Sequence, residues 1–235
     1  MPNHQPPKAV ILDVDGTLVD STDAHTRSWL DMLAEGGRQA SYEQVRRMIG
    51  TGADQMLPVL IGISADSEAG REMIARRLEI FKARYLLHVV AFPGTRALAL
   101  RMREDAVTLV VASSASDDIL GRLLEIAQIR DLVDETASSD DAQRSKPEPD
   151  IVRAALARSG QPADRALMIG DTPYDIEAAS RAGVGTIAFR CGGGWSEQDL
   201  AGALAIFDDP LDLLLNYDES PLVGRGEWEP VGEAR

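Results

Sequence analysis

The sequence predicts an α/β fold in which helices cover both faces of a parallel β-sheet and a separate helical segment is inserted. Four short apolar runs have the length and composition of buried strands. They cover residues 10–12, 107–112, 166–169 and 184–189. Helical patterns lie between them, at 94–104, 117–128, 149–159 and 174–182. Strand alternating with helix is typical of a parallel sheet that is buried on both faces.

Residues 20–91 break this alternation because they contain no convincing strand. Ser21 or Thr22 can cap a helix that runs toward Glu35. Ser41 can cap a second helix. A later stretch carries an apolar stripe with helical spacing, formed by Ile74, Leu78, Phe81 and Tyr85. We therefore expect an all-helical cap inserted after the first strand.

These patterns divide the chain into three parts. Residues 1–19 and 92–216 form the predicted α/β core, and residues 20–91 form the predicted cap. A run at Leu132–Val133 is a weaker fifth candidate strand of the core. Residues 217–235 are rich in proline, glycine and acids, which favours an extended or irregular C-terminal extension. Trp228 is a candidate anchor for it.

Composition and charge exclude several classes of protein. The 235 residues are 44% hydrophobic and 26% charged, which is ordinary for a globular chain. Lysine and arginine number 24 against 38 acids, a net charge of −14. Such a chain is a poor candidate for binding nucleic acid or an anionic membrane through bulk charge. The predicted cap is almost neutral, so it repels a small anion less than the total charge suggests.

The single cysteine, Cys191, excludes an intrachain disulfide and fits a reducing compartment. The N-terminal residues are polar, and the apolar run that follows them is interrupted at Asp13. This pattern is unlike that of a signal peptide or a membrane span. We therefore expect a soluble cytoplasmic protein.

Two aspartates stand at the end of the first predicted strand. Asp13 and Asp15 lie at the carboxyl edge of the sheet, where ligands of open parallel sheets bind. Two close carboxylates repel each other, so a proton, a cation or a divalent metal has to offset their charge. Gly16 allows a sharp turn here, and we expect its backbone amide to be free.

Three later strand ends carry polar side chains as well. Ser113 and Ser114 precede a helix, whose N-terminal amides can bind an anion. Lys146 lies in a loop before another helix, next to Pro147. Asp171 and Asp175 are one helical turn apart, so both carboxylates can face one point. Ligands that are all oxygens suit magnesium better than zinc or copper.

Together these residues resemble the haloacid dehalogenase superfamily. The resemblance is carried by residues 13–20, which read Asp-Val-Asp-Gly-Thr-Leu-Val-Asp, followed by Ser113, Lys146 and the 170–175 segment. It covers nearly the whole chain except the C-terminal extension. It implies a Rossmann-like core, and the inserted helices are similar to the cap of subfamily I members.

The resemblance implies a role for each residue in phosphoryl transfer. Asp13 is the nucleophile, and Asp15 serves as general acid and then as general base. Ser113, Ser114, Lys146 and the Gly16 backbone hold the phosphoryl oxygens. Mg²⁺ is bound by the Asp13 carboxylate and the Asp15 carbonyl together with Asp171 and Asp175. A cation beside Asp13 offsets the repulsion between its carboxylate and a phosphate dianion.

A general acid has to be protonated when substrate binds, so we expect the pKa of Asp15 to be raised. The same residue argues against dehalogenation. The dehalogenases of the superfamily lack an acid two residues after the nucleophile and use no metal. The resemblance therefore implies a phosphoric monoester hydrolase that acts on a small phosphorylated metabolite.

A phosphosugar mutase of the β-phosphoglucomutase type is the alternative. His25 and Trp29 resemble the start of its cap, where His25 can gate Asp15. Residues 49–53 instead resemble the cap of phosphoglycolate phosphatases, and Ala53 stands where the mutases carry an arginine. Arg46 or Arg47 can substitute for that arginine, so both are candidate substrate residues of the cap.

A non-catalytic phosphate-binding module is the second alternative. A receiver domain also pairs aspartate, lysine and magnesium, but it lacks an inserted cap and an acid–base partner such as Asp15. A scaffold that had lost its activity would have lost Asp13, Asp15, Lys146 or Asp171, and all four are present. The identity of the ester and the oligomeric state stay open at this point.

Overall fold

The computed structural model of the protein describes residues 5–224. Six parallel strands form its main sheet, and two further strands of two residues each form a short antiparallel ribbon. In chain order the strands are β1 (Ala9–Leu12), β2 (Val19–Asp20), β3 (Val90–Ala91), β4 (Thr108–Ala112), β5 (Glu135–Ala137), β6 (Ala166–Gly170), β7 (Gly185–Phe189) and β8 (Ala205–Phe207). The sheet has the spatial order β5-β4-β1-β6-β7-β8, and β2 pairs with β3. The expected fold class is confirmed.

The helices of the described chain follow the sequence patterns closely. They are α1 (Thr22–Glu35), α2 (Tyr42–Arg46), α3 (Ala53–Ile61), α4 (Glu68–Ile80), α5 (Thr95–Glu104), α6 (Asp117–Ile126), α7 (Asp150–Ser159), α8 (Pro173–Arg181) and α9 (Pro210–Leu215). A π-helical turn, Phe81–Tyr85, extends α4. Short 3₁₀ turns occupy Leu86–His88, Ser139–Asp141, Ala163–Arg165, Tyr217–Glu219 and Pro221–Val223. Between residues 5 and 224, no helix combines the length and the apolar character that crossing a bilayer requires.

Both faces of the sheet are buried, as the continuous apolar runs predict. In β1, Val10 and Leu12 pack on one face against α5, α6 and α9. Ala9 and Ile11 point to the other face, where α7 and α8 cover them. Successive side chains of a strand alternate between faces, so a strand with helices on both sides has to be apolar throughout.

The two edge strands depart from the sequence pattern. The expected strand at Leu132–Val133 is wrong, because both amides bond to the Ile129 carbonyl in a turn. The strand begins at Glu135 instead. The opposite edge, β8, was not predicted from the sequence. Each edge strand has three residues and a single partner, so neither leaves a clear apolar run.

Residues 22–88 are helical and have their own core. Trp29 and Leu33 of α1 pack with Met56 and Leu57 of α3 and with Ile80 at the end of α4. One more helix than the sequence indicated contributes, since the helix capped by Ser41 ends at Arg46 and α3 is distinct from it. The β2–β3 ribbon joins this segment to the sheet, with Val19 opposite Ala91.

The start of the predicted C-terminal extension is packed rather than extended. Tyr217 and Leu222 are buried in the same core cluster as the sheet. The Ser220 hydroxyl donates to the Tyr217 carbonyl and so closes the turn between two 3₁₀ helices. Trp228, the candidate anchor, lies outside the described residues.

Sheet order explains why four distant segments meet. β1 is flanked by β4 and β6, with Leu12 opposite Val111 on one side and Ile169 on the other. Chain crossovers leave in opposite directions from this point, which opens a crevice at the carboxyl ends of the three strands. The residues that follow them are therefore neighbours in space.

Candidate active site

The predicted nucleophile, Asp13, forms a buried ion pair with Lys146. The ammonium Nζ lies 2.5 Å from Asp13 Oδ1 and 2.7 Å from Asp175 Oδ1. It also donates to the Ala112 carbonyl at the end of β4, at 3.3 Å. Burial opposes the charged form of Lys146, but the two carboxylates raise its pKa above the ordinary value. The lysine therefore stays a cation inside the fold.

Asp171 follows the last residue of β6 and lies beside Asp13 and Asp175. The Thr17 hydroxyl is within hydrogen-bonding distance of both acids, 3.1 Å from Asp13 Oδ2 and 2.9 Å from Asp171 Oδ1. Two glycines leave the space that the Asp171 carboxylate fills. A Cβ on Gly16 would lie 2.4 Å from Asp171 Oδ2, and one on Gly192 would lie 1.7 Å from it. Only glycine fits at either position.

Asp13, Asp171 and Asp175 form a buried cluster that fits a metal ion. Each offers a carboxylate oxygen, and these oxygens lie within 4.8 Å of one another. Burial and the neighbouring acids raise the pKa of Asp13 to about 7, against the opposing effect of Lys146. Burial, followed by the charges of Asp175 and Asp13, raises the pKa of Asp171 as well. One lysine does not balance three carboxylates, so the site has room and charge for a cation.

Asp175 is already engaged by the protein. Its Oδ2 accepts hydrogen bonds from the Thr172 amide at 3.0 Å and the Thr172 hydroxyl at 2.7 Å. Thr172 and Asp175 form a capping box at the start of α8, which fixes the carboxylate on the first helical turn. Asp175 thus holds Lys146 in place, and its role as a direct metal ligand stays a prediction.

Asp15 points away from this cluster toward the cap. Its Oδ1 accepts a hydrogen bond from the Ser21 hydroxyl at 2.5 Å and lies 2.7 Å from His25 Nε2. Burial by itself would raise the pKa of Asp15, but His25, Ser21 and Arg77 outweigh it and lower the pKa below its ordinary value. The expectation of a raised pKa is therefore wrong for this structure, because Asp15 carries more donors than the sequence suggested.

His25 links Asp15 to a cap arginine that the sequence-based choice of site residues missed. The imidazole stacks on Phe81, with ring centroids 4.2 Å apart. Its Nδ1 is bonded by an Arg77 Nη2 group from α4. An arginine has no acceptor, so Nδ1 is the unprotonated nitrogen and Nε2–H faces Asp15. Burial, followed by Arg77, lowers the pKa of His25, in keeping with this neutral tautomer.

The structure places the predicted phosphate-binding residues in different surroundings. Ser114 lines the cavity beside Asp13. Ser113 is buried at the end of β4, where its hydroxyl accepts a hydrogen bond from the Ala115 amide at 3.1 Å. The expected free amide of Gly16 is wrong, because it donates to the Val19 carbonyl at 2.9 Å. The turn that needs a positive φ at Gly16 closes through that bond.

The cap arginines chosen from the sequence lie at the edge of the cap. Arg46 donates to the Gly192 carbonyl, in the loop that follows β7. Arg47 stacks on Trp195 with its guanidinium carbon 4.9 Å from the ring centroid. Both fasten the cap to the core loop at 191–195, and the lining of the cavity includes Arg71 and Arg77 instead. A substrate role for Arg46 and Arg47 stays a prediction.

A second contact fastens the cap beside the predicted lysine. The Ser145 hydroxyl donates to Asp54 Oδ1 at 2.6 Å, and the Ser145 amide bonds Asp54 Oδ2 at 3.1 Å. The Gly52 amide in turn donates to the Ser145 hydroxyl at 2.9 Å. Neither residue has a sequence signal of its own, since their pairing joins positions 91 residues apart.

These contacts border a cavity of about 500 Å³ between cap and core. Asp13 and Asp15 line its floor, together with Ser114. The cap side combines apolar surface from Trp29 and Met56 with polar and charged groups. A pocket of this kind is large enough for a small metabolite.

The comparisons with known proteins agree with this geometry. A model of the family described as haloacid dehalogenase-like hydrolase matches residues 10–189. The chain is 34% identical to a phosphoglycolate phosphatase of Rhodospirillum rubrum over 213 residues, which covers 86% of this chain and 88% of the relative. The protein belongs to the haloacid dehalogenase-like hydrolase family.

Two solved structures share the fold. A hydrolase from Pseudomonas syringae superposes with a TM-score of 0.82 at 27% identity, covering 90% of this chain and 98% of that one. A putative β-phosphoglucomutase from Bacteroides vulgatus gives a TM-score of 0.83 at 23% identity, covering 94% and 92%, a likeness of fold alone. The expected membership, and with it a hydrolytic enzyme, is confirmed.

Proposed function

We propose that this haloacid dehalogenase-like hydrolase is a Mg²⁺-dependent phosphatase that cleaves a small phosphate monoester through an aspartyl phosphate. One observation carries the proposal. Asp13 and Asp15 come from one loop and line one cavity, while Lys146 forms an ion pair with Asp13. A nucleophile, an acid–base group and a charge-balancing cation are the parts that two-step phosphoryl transfer requires.

The protein residues divide the work between them. Asp13 attacks phosphorus, the ester oxygen leaves with a proton from Asp15, and Asp15 then takes a proton from the water that cleaves the aspartyl phosphate. Lys146 stabilises the charge on the phosphoryl oxygens. When bound by Asp13, Asp171 and the Asp15 carbonyl, Mg²⁺ supplies a Lewis acid that withdraws charge from the phosphoryl group.

The low pKa of Asp15 is compatible with this order of proton transfers, because bound substrate changes the surroundings of the Asp15 carboxyl group. A phosphate dianion that binds beside Asp15 repels the carboxylate and raises its pKa. Opening of the cap would act in the same direction, since it withdraws His25, which donates to Asp15. The proton needed by the leaving oxygen is therefore taken up on binding rather than held in the free enzyme.

Hydrolysis is favoured over phosphosugar mutation. Ala53 lines the cavity where the mutase resemblance calls for an arginine that holds a second phosphate. The relative from Rhodospirillum rubrum is, by name, a phosphoglycolate phosphatase, so 2-phosphoglycolate is the first substrate to test.

The deciding experiment measures products from a panel of phosphate esters with Mg²⁺. The panel contains 2-phosphoglycolate, sugar and nucleotide monophosphates, and β-glucose 1-phosphate with a trace of its bisphosphate. Free phosphate from one or more esters supports a phosphatase, and isomerisation without release supports a mutase. Asp13→Asn abolishes turnover, whereas Asp20→Asn, an exposed neighbour, does not. Undiminished turnover in Asp13→Asn would overturn the proposed nucleophile.

A further inference from the structure

Arg77 is a cation of the cap that faces the cavity. It lies on α4, and its side chain lines the cavity together with Asp15. Its guanidinium carbon is 5.4 Å from the Trp29 ring centroid and 5.2 Å from that of Phe81. One Nη group bonds His25 Nδ1. Aromatic faces attract a guanidinium but leave the N–H groups at its edge free for another partner.

This charge has no carboxylate partner within the described residues. Its neighbour on the same helix, Arg76, forms ion pairs with Glu35 and Glu79 at the surface. Arg77 forms none between residues 5 and 224, and its buried Nε has no hydrogen-bond partner there. Burial lowers the pKa of Arg77 to about 10. A partly desolvated cation with unused donors costs stability in the free protein, which a ligand can repay.

We propose that Arg77 binds a carboxylate of the leaving group, so that the substrate is a phosphate ester of a small hydroxycarboxylic acid. This inference rests on the proposed phosphatase function. A guanidinium presents its donors in a planar fork that matches the two oxygens of a carboxylate. The ligand then supplies a directly paired anion, which residues 5–224 do not provide, since the charge of Asp15 acts on Arg77 without forming an ion pair with it.

The position of Arg77 limits the distance between the ester oxygen and the carboxylate. Asp15, which protonates the leaving oxygen, and Arg77 contact opposite nitrogens of one imidazole, that of His25. A leaving group that reaches both therefore carries its acid within a few bonds of the ester oxygen. Hydroxy acids with the hydroxyl on carbon 2 or 3 meet this requirement.

Charge favours a carboxylate over a second phosphate. The cavity floor already holds Asp13 and Asp15, and a phosphoryl group adds up to two further negative charges. Arg71, the other arginine of the lining, is exposed and is bound to the Asp66 carbonyl. A single partly buried guanidinium offsets a monoanion, whereas a second phosphate dianion would leave a negative charge uncompensated.

Paired substrates and matched arginine variants test the inference. 2-Phosphoglycolate carries the carboxylate, and 2-hydroxyethyl phosphate replaces it with an uncharged hydroxymethyl group. We expect the wild-type enzyme to prefer the carboxylate in kcat/KM. Arg77→Met lowers that preference at least tenfold, and Arg77→Lys, which keeps the charge without the fork, retains part of it. Arg76→Met changes the same residue type on the exposed face and leaves the preference unchanged.

Product inhibition provides an independent readout. Glycolate should inhibit the wild-type enzyme, and its inhibition constant should rise at least tenfold in Arg77→Met. Circular dichroism and thermal unfolding show whether that variant is folded. Equal losses on both esters, with unchanged glycolate inhibition, would overturn the carboxylate role and leave Arg77 as a support for His25. If the wild-type enzyme hydrolyses no ester at all, it is the proposed phosphatase function that fails.

Discussion

Lys146 Nζ lies 2.5 Å from Asp13 Oδ1, inside the protein and 133 residues away along the chain. The lysine also forms an ion pair with a second acid, Asp175, and donates a hydrogen bond to a backbone carbonyl. A single side chain thus neutralises the nucleophile, ties the loop after β5 to the ends of β1 and β4, and holds the first turn of α8.

Replacing this lysine should damage stability and activity together. Lys146→Met leaves Asp13 and Asp175 buried without their cation, so the free energy of unfolding falls by about 3–5 kcal/mol in metal-free buffer. The loss is smaller at pH 5 than at pH 8, because the carboxylates can then take up protons. Chemical denaturation at both pH values measures it, with the exposed Lys8→Met as control. A stability loss that does not depend on pH would contradict the electrostatic explanation.

Space around Asp171 is the basis of a second prediction. In Gly192→Ala the new Cβ would lie 1.7 Å from Asp171 Oδ2, so the carboxylate has to move away from Thr17. We expect weaker binding of Mg²⁺ and at least a hundredfold lower kcat/KM, measured by calorimetry and phosphate release. Gly36→Ala is the matched control, since its Cβ would meet nothing closer than 3.5 Å. Normal metal affinity in Gly192→Ala would argue against a ligand role for Asp171.

The donors on Asp15 lead to a prediction about pH dependence. His25→Ala removes a group that lowers the pKa of Asp15, so that pKa rises. The acid form then persists to higher pH, and the alkaline limb of the kcat/KM profile moves up by about one pH unit. Ser21→Ala removes another donor and should shift the limb in the same direction. A shift to lower pH in either variant would show that Asp15 is not the acid.

The contact between Asp54 and Ser145 predicts a coupling between cap closure and substrate binding. Ser145→Ala removes two hydrogen bonds that join the cap to the residue before Lys146. We expect KM to rise by about tenfold, because a hydrogen bond to a charged group contributes roughly 1.5–3 kcal/mol. Tyr42→Phe, which breaks a hydrogen bond inside the cap, is the control. A lower kcat with unchanged KM would place Ser145 in the chemical step instead.

The core could be predicted from the sequence because its signals are local. Val10 to Leu12 is apolar throughout, as a strand buried on both faces has to be, and Asp13 follows it directly. The four predicted helices of the core, α5 to α8, begin and end within two residues of the expected positions, whereas α9 was not predicted. The edge strands could not be predicted, because three residues with a single neighbour leave no periodicity to detect.

The features of the site likewise fall into those that the sequence predicts and those that depend on the tertiary structure. The sequence by itself determined which residue types stand at the strand ends, and hence the order of Asp13, Lys146 and Asp171 around one crevice. Only the tertiary structure decided that Ser21, His25 and Arg77 surround Asp15 and lower its pKa, and that Arg46 and Arg47 fasten the cap. Strand ends are fixed by short-range patterns, whereas contacts between cap and core depend on the packing of segments that have no shared pattern along the chain.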